Sequence, residues 1–163
     1  MRGLVVILLC GMIVTSGCLK KGGDCQYKNE NKVAPASEEQ AILNYLTANS
    51  ISATKHGSNM YYEVIKPGAG AVPGLCSSVL IKYAGKLTNG SQFDSSDAAV
   101  FTLGSLIEGW KVGLPLIKTG GEIRLYIPPS LGYGSVDVKD NNGTIIIPAN
   151  SILIFTITLL DVQ

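Results

Sequence analysis

Phe101-Thr102-Leu103-Gly104-Ser105-Leu106-Ile107-Glu108-Gly109-Trp110 is the stretch on which the fold turns. Val100 to Leu103 reads as a short strand that stops at a glycine. Ile107 to Leu116 then reads as a short helix, with Trp110, Leu114 and Ile117 recurring at helical spacing. Pro115 has no amide proton and removes the backbone bond to Lys111, so this helix frays or kinks at its end. The single tryptophan of the chain sits beside a glycine near the start of that helix.

Strand patterns flank this unit on both sides. Met60, Tyr62 and Val64 alternate with Tyr61, Glu63 and Lys66. Ser77 to Leu87 places Val79, Ile81 and Tyr83 on one face. Asn89-Gly90 supplies the positive φ values of a tight hairpin turn, and the return strand carries Phe93-Asp94. Glu122 to Ile127 is a further strand. Ser135 to Gly143 is polar and reads as a flexible loop. A last strand runs to Val162, with Leu153, Phe155, Ile157 and Leu159 on one face. Many strands and one short helix predict an α+β fold, an antiparallel sheet wrapped on that helix.

Upstream, Ser37-Glu38-Glu39-Gln40 has the form of a capping box. Ala41, Ile42, Tyr45 and Leu46 then recur at helical spacing, with an end near Asn49. This one-sided helix must cover something, either the core or a second copy. The predicted organisation is a signal over 1–17, a tether over 18–36, a helical extension over 37–59 and the main domain over 60–163.

With 163 residues, 46% of them hydrophobic, the chain can build one core and a small appendage. Thirteen Lys and Arg against twelve Asp and Glu leave a formal charge of +1, without a basic stripe, so nucleic acid has no electrostatic footing. Gly68-Ala69-Gly70 is followed by Pro73-Gly74 instead of a helix and is no phosphate loop. Ser95 and Ser96 lack a histidine to activate them, and His56, the only histidine, has no cysteine or second histidine nearby. The chain therefore predicts no metal and no cofactor.

The N-terminus reads as an export signal. Arg2 precedes an apolar run from Leu4 to Val14, too short to span a bilayer. The run leads to Val14-Thr15-Ser16-Gly17-Cys18, which resembles a bacterial lipobox, although leucine is usual where Thr15 stands. Lipidation at Cys18 predicts attachment to a membrane through that N-terminal lipid, in the cell envelope on the periplasmic face of the outer membrane. An ordinary cleaved signal is the alternative. With Cys10 in the signal, Cys25 and Cys76 remain, an even pair in an exported chain. They are either two free thiols or a disulfide, which would contribute about 4 kcal/mol through loop entropy.

The region from about Met60 to Gln163 resembles the FKBP-type peptidyl-prolyl isomerases. The motifs, in the family's order, begin with Tyr83-Ala84-Gly85, Asn89-Gly90 and Phe93-Asp94-Ser95-Ser96. Phe101-Thr102-Leu103-Gly104, Leu106-Ile107 and Gly109-Trp110 follow. Then come Ile127-Pro128, Leu131-Gly132-Tyr133-Gly134, Ile147-Pro148-Ala149-Asn150 and Leu153-Ile154-Phe155. The signal and tether resemble those of bacterial FKBP lipoproteins.

The resemblance implies an FKBP-like curved sheet around a short helix, with a pocket between the two. Trp110 would be its floor. Tyr83, Phe93, Phe101, Leu106, Ile107, Ile147 and Phe155 would be its walls. Asp94 would be buried beside Tyr83, the Tyr133 hydroxyl would point inward, and the Ile107 amide would meet a substrate carbonyl. The implied partners are proline-containing client polypeptides and macrolide inhibitors of the rapamycin class. The implied activity is isomerisation of X–Pro bonds in exported proteins. A chaperone-like module that binds proline segments without turnover is the alternative. Gly132 stands where alanine is more usual, and Ser135 to Ile147 is longer than in compact members.

Overall fold

The computed structural model describes residues 25–163. The signal, Cys10 and the lipidation site at Cys18 lie outside the described residues. Helix α1 spans Ala36–Ala48, with Asn49 at its C-terminal cap. Strand β1 (Thr54–Lys55), β2 (Tyr61–Lys66), β3 (Ser78–Leu87) and β4 (Gln92–Thr102) follow. A single 3₁₀ turn, Leu103–Ser105, leads into helix α2, Glu108–Gly113. Strand β5 (Glu122–Ile127), the short β6 (Val138–Lys139) and β7 (Ile145–Ile147), and β8 (Leu153–Val162) complete the chain.

Six strands form one antiparallel sheet in the order β1-β2-β5-β8-β3-β4. This is the expected α+β architecture. Leu153, Phe155, Ile157 and Leu159 on β8 all face the main core, as alternation predicts. They pack there with Val79 and Ile81 of β3, Ile123, Leu125 and Ile127 of β5, and Trp110 and Leu114. The other face is covered at one end only. There Ile42 and Leu46 of α1 pack on Tyr61 and Tyr126. The one-sided helix thus covers its own sheet.

Helix α2 lies close against β5. A Cβ placed on Gly109 would sit 2.6 Å from Ile127 Cδ1, and one on Gly113 would sit 2.6 Å from Leu125 Cδ1. Two glycines four residues apart share one helix face, so the helix backbone meets β5 without intervening side chains. At Leu114 the helix tightens into a 3₁₀ turn over Leu114–Leu116, where Pro115 removes the α-helical bond.

Several local expectations differ from the structure. Pro35, not Ser37, caps α1, and no side chain caps the helix. The Pro35 carbonyl accepts the Glu38 and Glu39 amides at 3.0 and 3.1 Å. The carboxylates are engaged elsewhere: Glu38 accepts the Ser130 amide at 2.9 Å, and Glu39 meets Lys55 at 2.6 Å. Gln40 turns to Asn44. Only Gly90 of the Asn89-Gly90 pair enters the left-handed region, at φ 87°, while the Asn89 side chain accepts the Ser91 amide. Val100 to Thr102 is not a separate strand but the end of β4. The expected loop at Ser135 to Gly143 contains β6, paired with β7. Its turn is organised by Asp140 Oδ1, which accepts the amides of Asn142 and Thr144 at 2.9 and 2.8 Å.

Cys25 and Cys76 are joined by a disulfide, with Cα atoms 5.6 Å apart. Tyr27, just beyond it, packs against Gly104, where a Cβ would come within 2.5 Å of the Tyr27 Cβ. The N-terminal segment is thereby pinned beside the turn that precedes α2.

Gly109→Ala is expected to lower stability. Alanine adds about 1 kcal/mol of helix propensity. Overpacking against Ile127 costs about 1–3 kcal/mol. A lower urea midpoint at unchanged slope is the expected outcome.

Candidate functional site

The concave face of the sheet and α2 enclose an open cavity of about 180 Å³. Tyr83, Asp94, Phe101, Leu106, Ile107, Trp110, Tyr133 and Phe155 line it. Trp110 is only 5% exposed and is met edge-on by three rings. Its ring centroid lies 5.0 Å from Phe155, 5.3 Å from Tyr83 and 6.4 Å from Phe101, at interplanar angles of 89°, 77° and 82°. Edge-to-face contacts of this kind fix each ring against its neighbour. The indole is therefore held as a rigid surface, and its buried Nε1–H has no partner among the described residues.

Each polar group at the rim is placed by its element. Ile107 caps α2: its carbonyl accepts the Trp110 and Lys111 amides at 3.0 and 3.2 Å. Its own N–H has no partner among the described residues and is free to donate. The Tyr83 hydroxyl donates to Asp94 Oδ2 at 2.8 Å, joining β3 to β4 across the cavity edge. Burial, then the Asp94 hydrogen bond, pushes the Tyr83 phenol up to about 12. Burial, with the Asp94 charge second, also raises the Tyr133 phenol. Both hydroxyls thus keep their protons across the neutral range.

Three expected placements are corrected. Asp94 is exposed, because β4 is the outermost strand and leaves that side chain open to solvent. Phe93 does not line the cavity; it stands behind Phe155, ring centroids 5.5 Å apart, and buttresses it. Ile147 is 2% exposed within the core, where the pairing of β7 with Val138 carries it away from the lining. Tyr133 does line the cavity, yet it is 44% exposed.

Two features were missed in the sequence. The Gly109 and Gly113 spacing was a readable sign of close helix–strand approach. The Glu38 bond to Ser130, beside the turn carrying Tyr133, had no local sign because 92 residues separate the partners. A larger hollow of about 520 Å³ lies between α2 and residues 29–33, but no phenylalanine, tyrosine or tryptophan lines it.

The comparisons with known proteins bear on this arrangement. Residues 71–160 match the family model of the FKBP-type peptidyl-prolyl cis-trans isomerases, more than half of the chain. The chain belongs to this family. FkpA of Buchnera aphidicola from Schizaphis graminum is 42% identical to this FKBP-type chain over 115 residues, 68% of this chain and 43% of the relative. Escherichia coli FkpA is 39% identical over 110 residues, 65% of this chain and 38% of the relative. The FKBP-type chain thus spans about two fifths of the length of these curated relatives. The crystal structure of E. coli FkpA superposes with a TM-score of 0.66 at 34% identity, covering 78% of this chain and 60% of that one. A peptidyl-prolyl cis-trans isomerase from Pseudomonas syringae pv. tomato gives 0.66 at 28% identity, covering 80% and 97%.

The raised Tyr83 phenol carries a pH signature. An unfolded phenol releases its proton near pH 10, whereas the folded one holds it to about 12. This stabilisation is complete below pH 10 and is lost as pH rises toward 12. Urea unfolding across that window should show declining stability, and Tyr83→Phe should flatten part of the decline. Tyr126, also raised by burial, supplies another part.

Proposed function

We propose that the chain catalyses cis–trans isomerisation of X–Pro peptide bonds in proline-containing client polypeptides. The observation that carries this reading is the open aromatic cavity on a rigid, 5% exposed indole, lined also by Ile107, whose amide has no partner among the described residues. At about 180 Å³ it is smaller than the roughly 300–1,000 Å³ of a drug-sized site. It suits one ring and the bond beside it, not an entire cofactor.

The chemistry needs nothing else. The two isomers differ by only about 0.5–1 kcal/mol. The barrier, roughly 18–20 kcal/mol, comes from amide resonance. Uncatalysed exchange therefore takes about 10–100 s. Rotation breaks resonance, so the twisted amide has a less dipolar carbonyl and a more pyramidal nitrogen. An apolar aromatic surround penalises the planar, polar form more than the twisted one, and shape complementarity to the twisted form lowers the barrier. In this reading the Ile107 N–H holds a substrate carbonyl, while the protonated Tyr83 and Tyr133 hydroxyls add fixed dipoles. No proton need move. Macrolides of the rapamycin class place one ring in the same cavity in this reading.

The setting is also proposed. The apolar N-terminal run, the lipobox-like Cys18 and the Cys25–Cys76 bond support an exported lipoprotein that assists folding in the cell envelope, on the periplasmic face of the outer membrane. Among the described residues no helix is long and apolar enough to cross a membrane. Mass spectrometry of the mature N-terminus should find acyl chains on Cys18; an unmodified thiol there would end the lipid proposal.

Asp94 offers a test that separates activity from folding. Because it is exposed and loses a single hydrogen bond, Asp94→Ala should lower stability by only about 1 kcal/mol. Loss of the Tyr83 partner at the cavity edge should lower kcat/KM about tenfold, equivalent to roughly 1.4 kcal/mol. Acceleration of proline-limited refolding is the readout. An unaltered chain that binds proline segments without acceleration would favour the chaperone-like reading.

A further inference from the structure

We infer that the site continues past the proline cavity into a second subsite for the client main chain, built jointly by the domain and the N-terminal extension. This rests on the isomerase reading above. A cleft of about 420 Å³ has Lys32 and Glu38 on its extension side and Pro129, Ser130, Tyr133 and Ser135 on its domain side. Tyr133 lines both this cleft and the proline cavity. The two hollows therefore meet at one side chain. A polypeptide with its proline against Trp110 can lay its neighbouring residues across Tyr133 into the cleft.

The chemistry of the walls selects the occupant. Lys32 and Glu38 oppose one another in sign, so the cleft offers no net charge for a free ion or phosphate. The side-chain hydroxyl of Ser135 and side-chain amide of Asn150 in its lining match the N–H and C=O groups of an extended main chain.

The wall is held in place by bonds that run to Tyr133. Glu38 Oε2 accepts the Ser130 amide at 2.9 Å, a charge-assisted bond between the extension and the domain. Ser130 follows Pro129, whose carbonyl accepts the amides of Gly132 and Gly134 at 2.9 and 2.8 Å, on either side of Tyr133. The Gly134 carbonyl in turn accepts the Asn150 amide at 2.8 Å. The extension is thus anchored to the same turn that presents Tyr133 to the cavity.

The test compares two substrates on the full chain. One is a proline tetrapeptide, short enough to occupy the cavity. The other is an unfolded protein whose refolding is limited by proline isomerisation. Ser135→Trp fills the cleft from the domain side, and Lys32→Trp fills it from the extension side. Both positions are exposed, and a ratio of the two kcat/KM values cancels any loss of folded protein. The ratio of protein to tetrapeptide kcat/KM should fall about tenfold in each variant, mainly through KM for the protein. A ratio within twofold of the unaltered chain in both variants would overturn the subsite while leaving the isomerase reading standing. Inactivity of the unaltered chain on both substrates would overturn the isomerase reading and the subsite with it.

Discussion

The closeness of α2 to β5 sets everything in the site. Gly109 and Gly113 let the helix backbone rest directly on Ile127 and Leu125. That contact fixes the depth at which Trp110 sits, one residue past Gly109. The indole depth then fixes the cavity, since Tyr83, Phe101 and Phe155 can meet the ring edge-on only when it lies within the curve of the sheet. The same contact places the N-terminal end of α2, and with it the Ile107 amide, unpaired among the described residues. Binding surface and hydrogen-bond donor are therefore positioned by a single steric fact. An interior packed to crystal density passes such a fact on without slack.

Much of the architecture was legible because it rests on local pattern. Strand β5 has the bounds that alternation gives, and α1 ends beside Asn49 as its periodicity requires. The buried face of β8 follows from a period of two sustained over seven residues, Leu153 to Leu159. Several of the errors come from partners distant in sequence. Ser37 is a good cap in isolation, but Glu38 and Glu39 are drawn to Ser130, Lys55 and Tyr61, and Pro35 already presets the turn. Strand β6 is two residues long, too short to show any period. The exposure of Asp94 depends on β4 being outermost, a property of strand order that no window of sequence contains.

The site itself was legible in composition more than in placement. Eight of the predicted residues converge on one cavity. Phe93 and Ile147 do not, because an aromatic or aliphatic residue near a cavity can serve either as its lining or as support for the lining, and only coordinates separate these roles. The family match covers 71–160, so α1, β1 and β2 lie outside it. Yet β2 is a full partner of β5, and α1 covers one end of the second face of the sheet. The extension is thus integral to the fold of this chain.

Strand β4 ends the sheet, and its far edge would be open to any passing chain. Its ladder with β3 is broken twice, between Ile81 and Tyr83 and again between Gly85 and Lys86. Such irregularities bend and twist a strand out of line. Asp97 projects from this margin in an exposed ion pair with Lys82. A kinked, charged margin is a poor template for a further strand, which is how sheet proteins avoid runaway β-aggregation. A protein proposed to meet unfolded polypeptides thereby keeps its own sheet from recruiting them.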